Sequence, residues 1–181
     1  MRLLAVALTM AAITAPAIAQ TPRDAAAVAA TRPTELIVSG DLSSRQRADI
    51  LKPVDAFYGF WANGSAALLD AALAPNFVDH TLPPGRPQGP AGPLAASKSF
   101  LAAVPDLQVK VVQRLVVGDR VVSHLRFSGH FTGRLGDKSG AGQPIDFIAT
   151  DIVRVQAGRI TDNWHLEDNL TFLQQAGVVA R

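Results

Sequence analysis

Pro105 divides the chain into two periodicities, and that division restricts the fold more than any other feature. Before it, Leu51, Val54, Phe57, Tyr58 and Trp61 recur at i, i+3 and i+4 steps, the stripe of an amphipathic helix. Asn63-Gly64 marks its end. Pro53 removes one backbone bond and predicts a kink or a restart. Ser65 can cap a second helix over 66–73, terminated by Pro75, and a Pro- and Gly-rich loop over 83–93 leads to a third over 94–104. After Pro105 the pattern is alternating and β-branched. Residues 107–117, 121–132, 145–155 and 160–166 read as strands, with turns at Gly118-Asp119 and Ala157-Gly158 and a loop over 133–142. A last helix covers 170–176. Helices first and an antiparallel meander after them predict an α+β domain, its helices packed on one face of a curved sheet.

The N-terminus carries a second strong pattern. Arg2, the apolar run Leu3 to Ala12 and the small-x-small triplet Ala17-Ile18-Ala19 read as a signal peptide over 1–19, cleaved before Gln20. The mature protein is therefore expected to be periplasmic or secreted, with no membrane association after cleavage, because no later apolar stretch reaches spanning length. Residues 20–42, rich in Ala, Thr and Pro, read as a poorly ordered linker, and 43–181 as the domain. Hydrophobic residues make up 48% of the chain, enough for a core. A net charge of +2 with no Lys or Arg run gives nucleic-acid binding no support. With no Cys, stability must come from that core.

Four His residues are the obvious chemical candidates: His80, His124, His130 and His165. His124 and His130 lie six residues apart on one strand, about 20 Å, too far to share a metal, and no metal or other cofactor is expected. No Gly-x-Ser-x-Gly elbow or phosphate-cradling loop is present. Proton transfer is left. Asp151 and His165 sit on the two strands of the last hairpin. A three-residue turn with Gly158 in the left-handed region would put them on one face, whereas a two-residue turn would separate them. In the favourable register the carboxylate orients the imidazole as a base; otherwise the two are an ordinary cross-strand pair. His124, Arg126, Ser128 and His130 share one strand parity, opposite Leu125, Phe127 and Phe131. Tyr58 and Trp61 belong to the first-helix core, with the Tyr hydroxyl able to reach a pocket. Trp164 reads as core or as a stacking surface, and Asp168 as a cap for the last helix.

Several stretches together resemble the SnoaL-like polyketide cyclase family, including its predicted ester-cyclase branch. They are Phe57-Tyr58-x-x-Trp61-x-Asn63-Gly64, Ala74-Pro75-Asn76-Phe77-Val78-Asp79-His80, Val104-Pro105-Asp106-Leu107 with Gly118-Asp119-Arg120-Val121, and Gly129-x-x-Thr132-Gly133. The last runs from Asp151-Ile152-x-Arg154-Val155 through Gly158-Arg159-Ile160 and Trp164 to Leu173-Gln174-Gln175-x-Gly177. The resemblance covers about 50 to 181. It implies a nuclear transport factor 2-like cone, a strongly curved antiparallel sheet with helices packed on its concave face around a deep pocket. It also implies intramolecular aldol closure of a polyketide ring by acid–base residues, and homodimers formed through the sheet. His80 matches a pocket His of the family, though at a helix-to-loop junction it can equally cap carbonyls. The family commonly has an acid at the position of His165 and a His at that of Asp151, so the two partners are exchanged here. His130 also departs from a common Gly-Thr-His-x-Gly run.

These observations predict a catalytic set of His165 as base, Asp151 as its orienter and His80 at the enolate oxygen. Tyr58, Trp61, His130 and Trp164 are then expected around a small apolar or polyketide-like molecule. Two alternatives stand beside cyclisation or isomerisation. One is a non-catalytic periplasmic binding protein for small hydrophobic ligands. The other is an epoxide-hydrolase-like hydrolase, for which Arg126-Phe127-Ser128 lacks the first acid of an Asp-Arg-Asp arrangement.

Overall fold

The structure is a computed structural model that describes residues 21–40 and 42–180; the leader expected over 1–19 lies outside the described residues. Helix α1 (Pro22–Ala30) and strand β1 (Glu35–Ser39) precede the long helix α2 (Ser44–Asn63), α3 (Ala66–Ala72) and β2 (Leu73–Asp79). Helix α4 (Ala91–Ala103) is followed by β3 (Gln108–Val117), β4 (Arg120–Phe131), a small hairpin of β5 (Arg134–Leu135) and β6 (Lys138–Ser139), β7 (Gln143–Gln156), β8 (Arg159–Glu167) and α5 (Asn169–Gln175). The main sheet has six strands in the order β1-β3-β4-β7-β8-β2. Its centre is the antiparallel meander β3-β4-β7-β8, and both edge strands pair in parallel, β1 with β3 and β2 with β8.

The helix ends follow from local chemistry. Ser43 and Gln46 exchange hydrogen bonds as a capping box at the start of α2, and Gly64 closes it at φ 72°. Pro53 sits inside α2, which runs unbroken as one element of 20 residues. Ser65 and Asp168 cap α3 and α5 through the backbone N–H of Leu68 and Thr171. The inner face of the sheet carries Val111, Leu125, Phe127, Phe131, Val153 and Ile160, all buried, and the α2 residues Val54, Phe57, Tyr58 and Phe60 pack in the same core. Each such side chain contributes about 1.5–3 kcal/mol by leaving water. Successive side chains on β4 alternate, so His124 and Arg126 stand on the opposite face from Leu125 and Phe127. Exposed Ile148, Ile152 and Leu166 belong to that outer face.

Three expectations are corrected. Residues 21–40, read as linker, form α1 and β1. Asn63 Nδ2 donates to Asp24 Oδ1, tying α1 to the end of α2, and β1 covers the edge of β3 from Glu35↔Gln113 to Ser39↔Val117. Pro75 does not merely end a helix: it lies in β2, an edge strand where its missing N–H is tolerated. The hairpin from β7 to β8 turns through two residues, Ala157 (φ 48°) and Gly158 (φ 72°), and not three. A bulge restores the parity that such a turn would break. Val155 pairs with Ile160 but Arg154 pairs with Asp162, so Thr161 is the extra residue and Asp151 faces His165 directly. Among the described residues, no helix is long and apolar enough to cross a membrane.

Candidate active site

On the inner face of the β7–β8 pair, Asp151 and His165 are cross-strand partners, and Glu167 follows two residues on with the same parity. Strand β2, beside β8, turns Phe77 and Asp79 inward. The four ionisable side chains Asp79, Asp151, His165 and Glu167 thereby meet at a cavity of about 40 Å³ that Phe57, Trp61, Arg86 and Asn163 also line. An adjoining chamber of about 430 Å³ shares Trp61, Arg86, Phe127 and Glu167 with it and is walled by Phe100, Phe147 and Phe172.

His165 is held at both nitrogens. Its Nδ1 lies 2.7 Å from Glu167 Oε1, and its Nε2 lies 3.1 and 3.0 Å from the two Asp79 oxygens. Only 6% of its side chain is exposed, and 4% of that of Asp79. Asp79 is itself oriented by the Thr81 backbone N–H, and Thr81 Oγ1 accepts from the His165 backbone N–H. Burial alone would lower the His165 pKa, but hydrogen bonding and charge from Glu167, then from Asp79, outweigh it and push it up to about 9. Burial likewise pushes Glu167 up, and the His165 hydrogen bond and charge hold it below its ordinary value instead. The ring is therefore an imidazolium at neutral pH, with both N–H groups engaged.

Asp151 behaves differently. Its Oδ2 accepts from the Tyr58 hydroxyl at 3.2 Å. Burial raises its pKa to about 7; the His165 charge pulls it down, while Glu167 and Asp79 push it further up. Burial and the Asp151 charge keep Tyr58 well above the usual phenol range, so it stays a neutral donor. The carboxylates bonded to His165 are thus Asp79 and Glu167, not the expected Asp151. If so, Glu167→Gln should lower the His165 pKa by more than Asp151→Asn does. NMR titration of the ring checks this, and equal shifts would mean that the Glu167 contact does not set the charge.

Of the residues singled out in the sequence, Asp151, His165 and Trp61 line the inner cavity, and Tyr58 reaches it through Asp151. His80, Trp164 and His130 do not line it. His80 faces the opposite way from Asp79, stacking on Trp164 at 4.3 Å with Nε2 2.8 Å from Asp162. Arg120 and Arg154 flank the same Trp164 ring at 5.6 and 6.0 Å. His130 is exposed and paired with Asp106 at 2.7 Å. Four polar lining residues went unread: Asp79, Glu167, Arg86 and Asn163. The period-two rule could have found Glu167 from His165, and Asp79 once β2 is taken as a strand.

The family profile described as SnoaL-like polyketide cyclase matches residues 53–176. No curated protein matches the chain. Among solved structures, a "putative polyketide cyclase" from Bacillus cereus ATCC 10987 is 39% identical, over 83% of this chain and 95% of its own, with a TM-score of 0.75. IdmH from Streptomyces antibioticus, described in the same words, is 27% identical over 70% of this chain and 96% of its own, TM-score 0.62. A Catenulispora acidiphila protein with a ketosteroid isomerase-like fold, 21% identical over 71% and 94% of the two chains with a TM-score of 0.56, shares the fold. With the profile spanning most of the chain and all three strands of the site, β2, β7 and β8, inside it, this protein belongs to the SnoaL-like polyketide cyclase family.

Proposed function

We propose that the protein catalyses cofactor-independent acid–base chemistry on an apolar carbonyl compound, an aldol-type cyclisation or an isomerisation, with Asp151 as the proton-transfer group. One observation carries this reading: a buried carboxyl at the cavity wall whose pKa is raised to about 7. Such a group is an effective base when ionised and a usable acid once protonated, and proton transfer is most efficient near the working pH. The Asp151 carboxylate takes the proton from the carbon next to a carbonyl, leaving an enolate and a neutral Asp151. The enolate carbon then attacks a second carbonyl of the same molecule, forming the ring C–C bond. The resulting alkoxide recovers the proton from Asp151. Return of the proton to a different carbon gives isomerisation instead. His165, with both nitrogens bonded to carboxylates, acts by its positive charge on the negative charge that develops, and not as the base. Export after cleavage at Ala19, and pairing of two copies through the outer face that exposes Ile148, Ile152 and Leu166, belong to the same proposal.

Deuterium exchange from solvent into the methyl group of 2-acetylnaphthalene, followed by proton NMR, tests the first half of this reaction. The wild-type protein is expected to accelerate exchange, along a limb that rises through about pH 7 as Asp151 ionises. Binding without any acceleration would leave a ligand carrier and remove the enzyme.

A further inference from the structure

Arg86 stands where the inner cavity meets the outer chamber and lines both. It is the only Lys or Arg on either lining, and among the described residues its side chain has no hydrogen bond and no ion pair. Its charge reaches the site, for it helps hold Glu167 below the ordinary carboxylate range, after burial and the His165 contact. The loop that carries it is firmly seated. Pro83, Pro84 and Pro87 restrict it, the Arg86 N–H donates to the Pro83 carbonyl at 3.1 Å, and α4 lies against it at Gly92. A Cβ on Gly92 would come within 2.5 Å of the Pro87 oxygen and 3.5 Å of Arg86 Cγ and Cδ, so only glycine allows this approach.

The two spaces differ in what they admit. About 40 Å³ beside Asp151 accommodates a group the size of a carbonyl with its neighbouring methylene. The outer chamber of about 430 Å³, with Phe100, Phe127, Phe147 and Phe172 around it, suits a fused aromatic or polyketide-derived body. An unpaired guanidinium between them binds a carboxylate in the forked geometry its donors favour.

We infer that the substrate is an aromatic carbonyl compound carrying one carboxylate, and that Arg86 is the residue that selects the acid over its neutral ester or amide. The inference rests on the acid–base reading for which end of the cavity is reactive. Its test does not depend on turnover, so the two can fail separately.

Affinities of 2-naphthoate and of methyl 2-naphthoate for the full chain are measured by calorimetry at low salt. The two ligands share the naphthalene body and the carbonyl, and differ in charge and by one methyl group. Wild type should prefer the acid, Arg86→Met should weaken the acid about tenfold and leave the ester within twofold, and Arg86→Lys should keep most of the preference. Wild type that favours the ester or fails to bind the acid, or an Arg86→Met variant that loses both ligands alike or neither, overturns the inference. Circular dichroism of each variant confirms that the fold is intact. Loss of exchange activity in Asp151→Asn with the acid preference unchanged would show that selection and proton transfer are separate tasks.

Discussion

Asp151→Asn is expected to slow exchange at 2-acetylnaphthalene by about 10²–10⁴-fold, the usual contribution of a positioned acid–base group. The amide keeps the shape of the carboxyl and can still accept from the Tyr58 hydroxyl, so folding should be preserved. The pH profile makes the result specific. In wild type the rate rises through about pH 7; in the variant that limb disappears. His165→Gln separates the two roles. The His165 charge lowers the Asp151 pKa, so removing it should move the limb to higher pH while leaving a rate well above that of Asp151→Asn. The double variant should be slower again than Asp151→Asn alone, because the His165 charge also stabilises the negative charge that develops on the substrate. A His165→Gln variant as inactive as Asp151→Asn across all pH would return the base to His165.

The parts of this site that were legible in the sequence are those set by local rules. Period-two alternation puts Leu125, Phe127 and Phe131 on one face of their strand and His124 and His130 on the other; the structure turns the apolar row inward, which takes His130 away from the pocket where it was expected. Asn63-Gly64, Ser65 and Asp168 each do at a helix end what their side chains predict. The family read from scattered residues is the one the profile identifies. What escaped depends on partners distant in sequence. Strand β2 has no alternating signal of its own strength, contains Pro75, and exists because β8, more than eighty residues later, pairs with it: Asp79↔Asn163. With a helix read over 66–73 and ended by Pro75, residues 74–79 carried no strand assignment, so Asp79, the inward neighbour of His80, went unread. Residues 35–39 are held by hydrogen bonds to β3, which no local pattern announces. At the last hairpin two errors of local geometry cancel. The turn is shorter than the favourable case required, but the bulge at Thr161 shifts the register by one and returns Asp151 and His165 to a common face.

Stability should fall as pH rises from about 5 to 9, with Tm dropping on the order of 10 °C over that range. Asp151 has a folded pKa of about 7 against an ordinary 3.8, and His165 one of about 9 against 6.5. In both cases the folded state holds the proton more tightly than the unfolded chain. Each contribution is therefore complete below the unfolded value and is lost as pH climbs to the folded one: from about 4 to 7 for Asp151, and from 6.5 to 9 for His165. A shift of this size in a buried carboxyl corresponds to roughly 4 kcal/mol. The carboxylates held below their ordinary range, among them Asp146, Asp162 and Glu167, work in the other direction, and their contribution is lost only as pH falls below about 4. A maximum near pH 5 follows. Asp151→Asn removes the first titration and should flatten the slope between pH 4 and 7. Glu167→Gln lowers the folded His165 pKa and should flatten the slope above 6.5. Thermal unfolding of the three proteins in a series of buffers reads both effects. A wild-type Tm that stays level or rises between pH 5 and 9 would mean that neither Asp151 nor His165 holds its proton in the folded state, and the acid–base assignment would lose its physical basis.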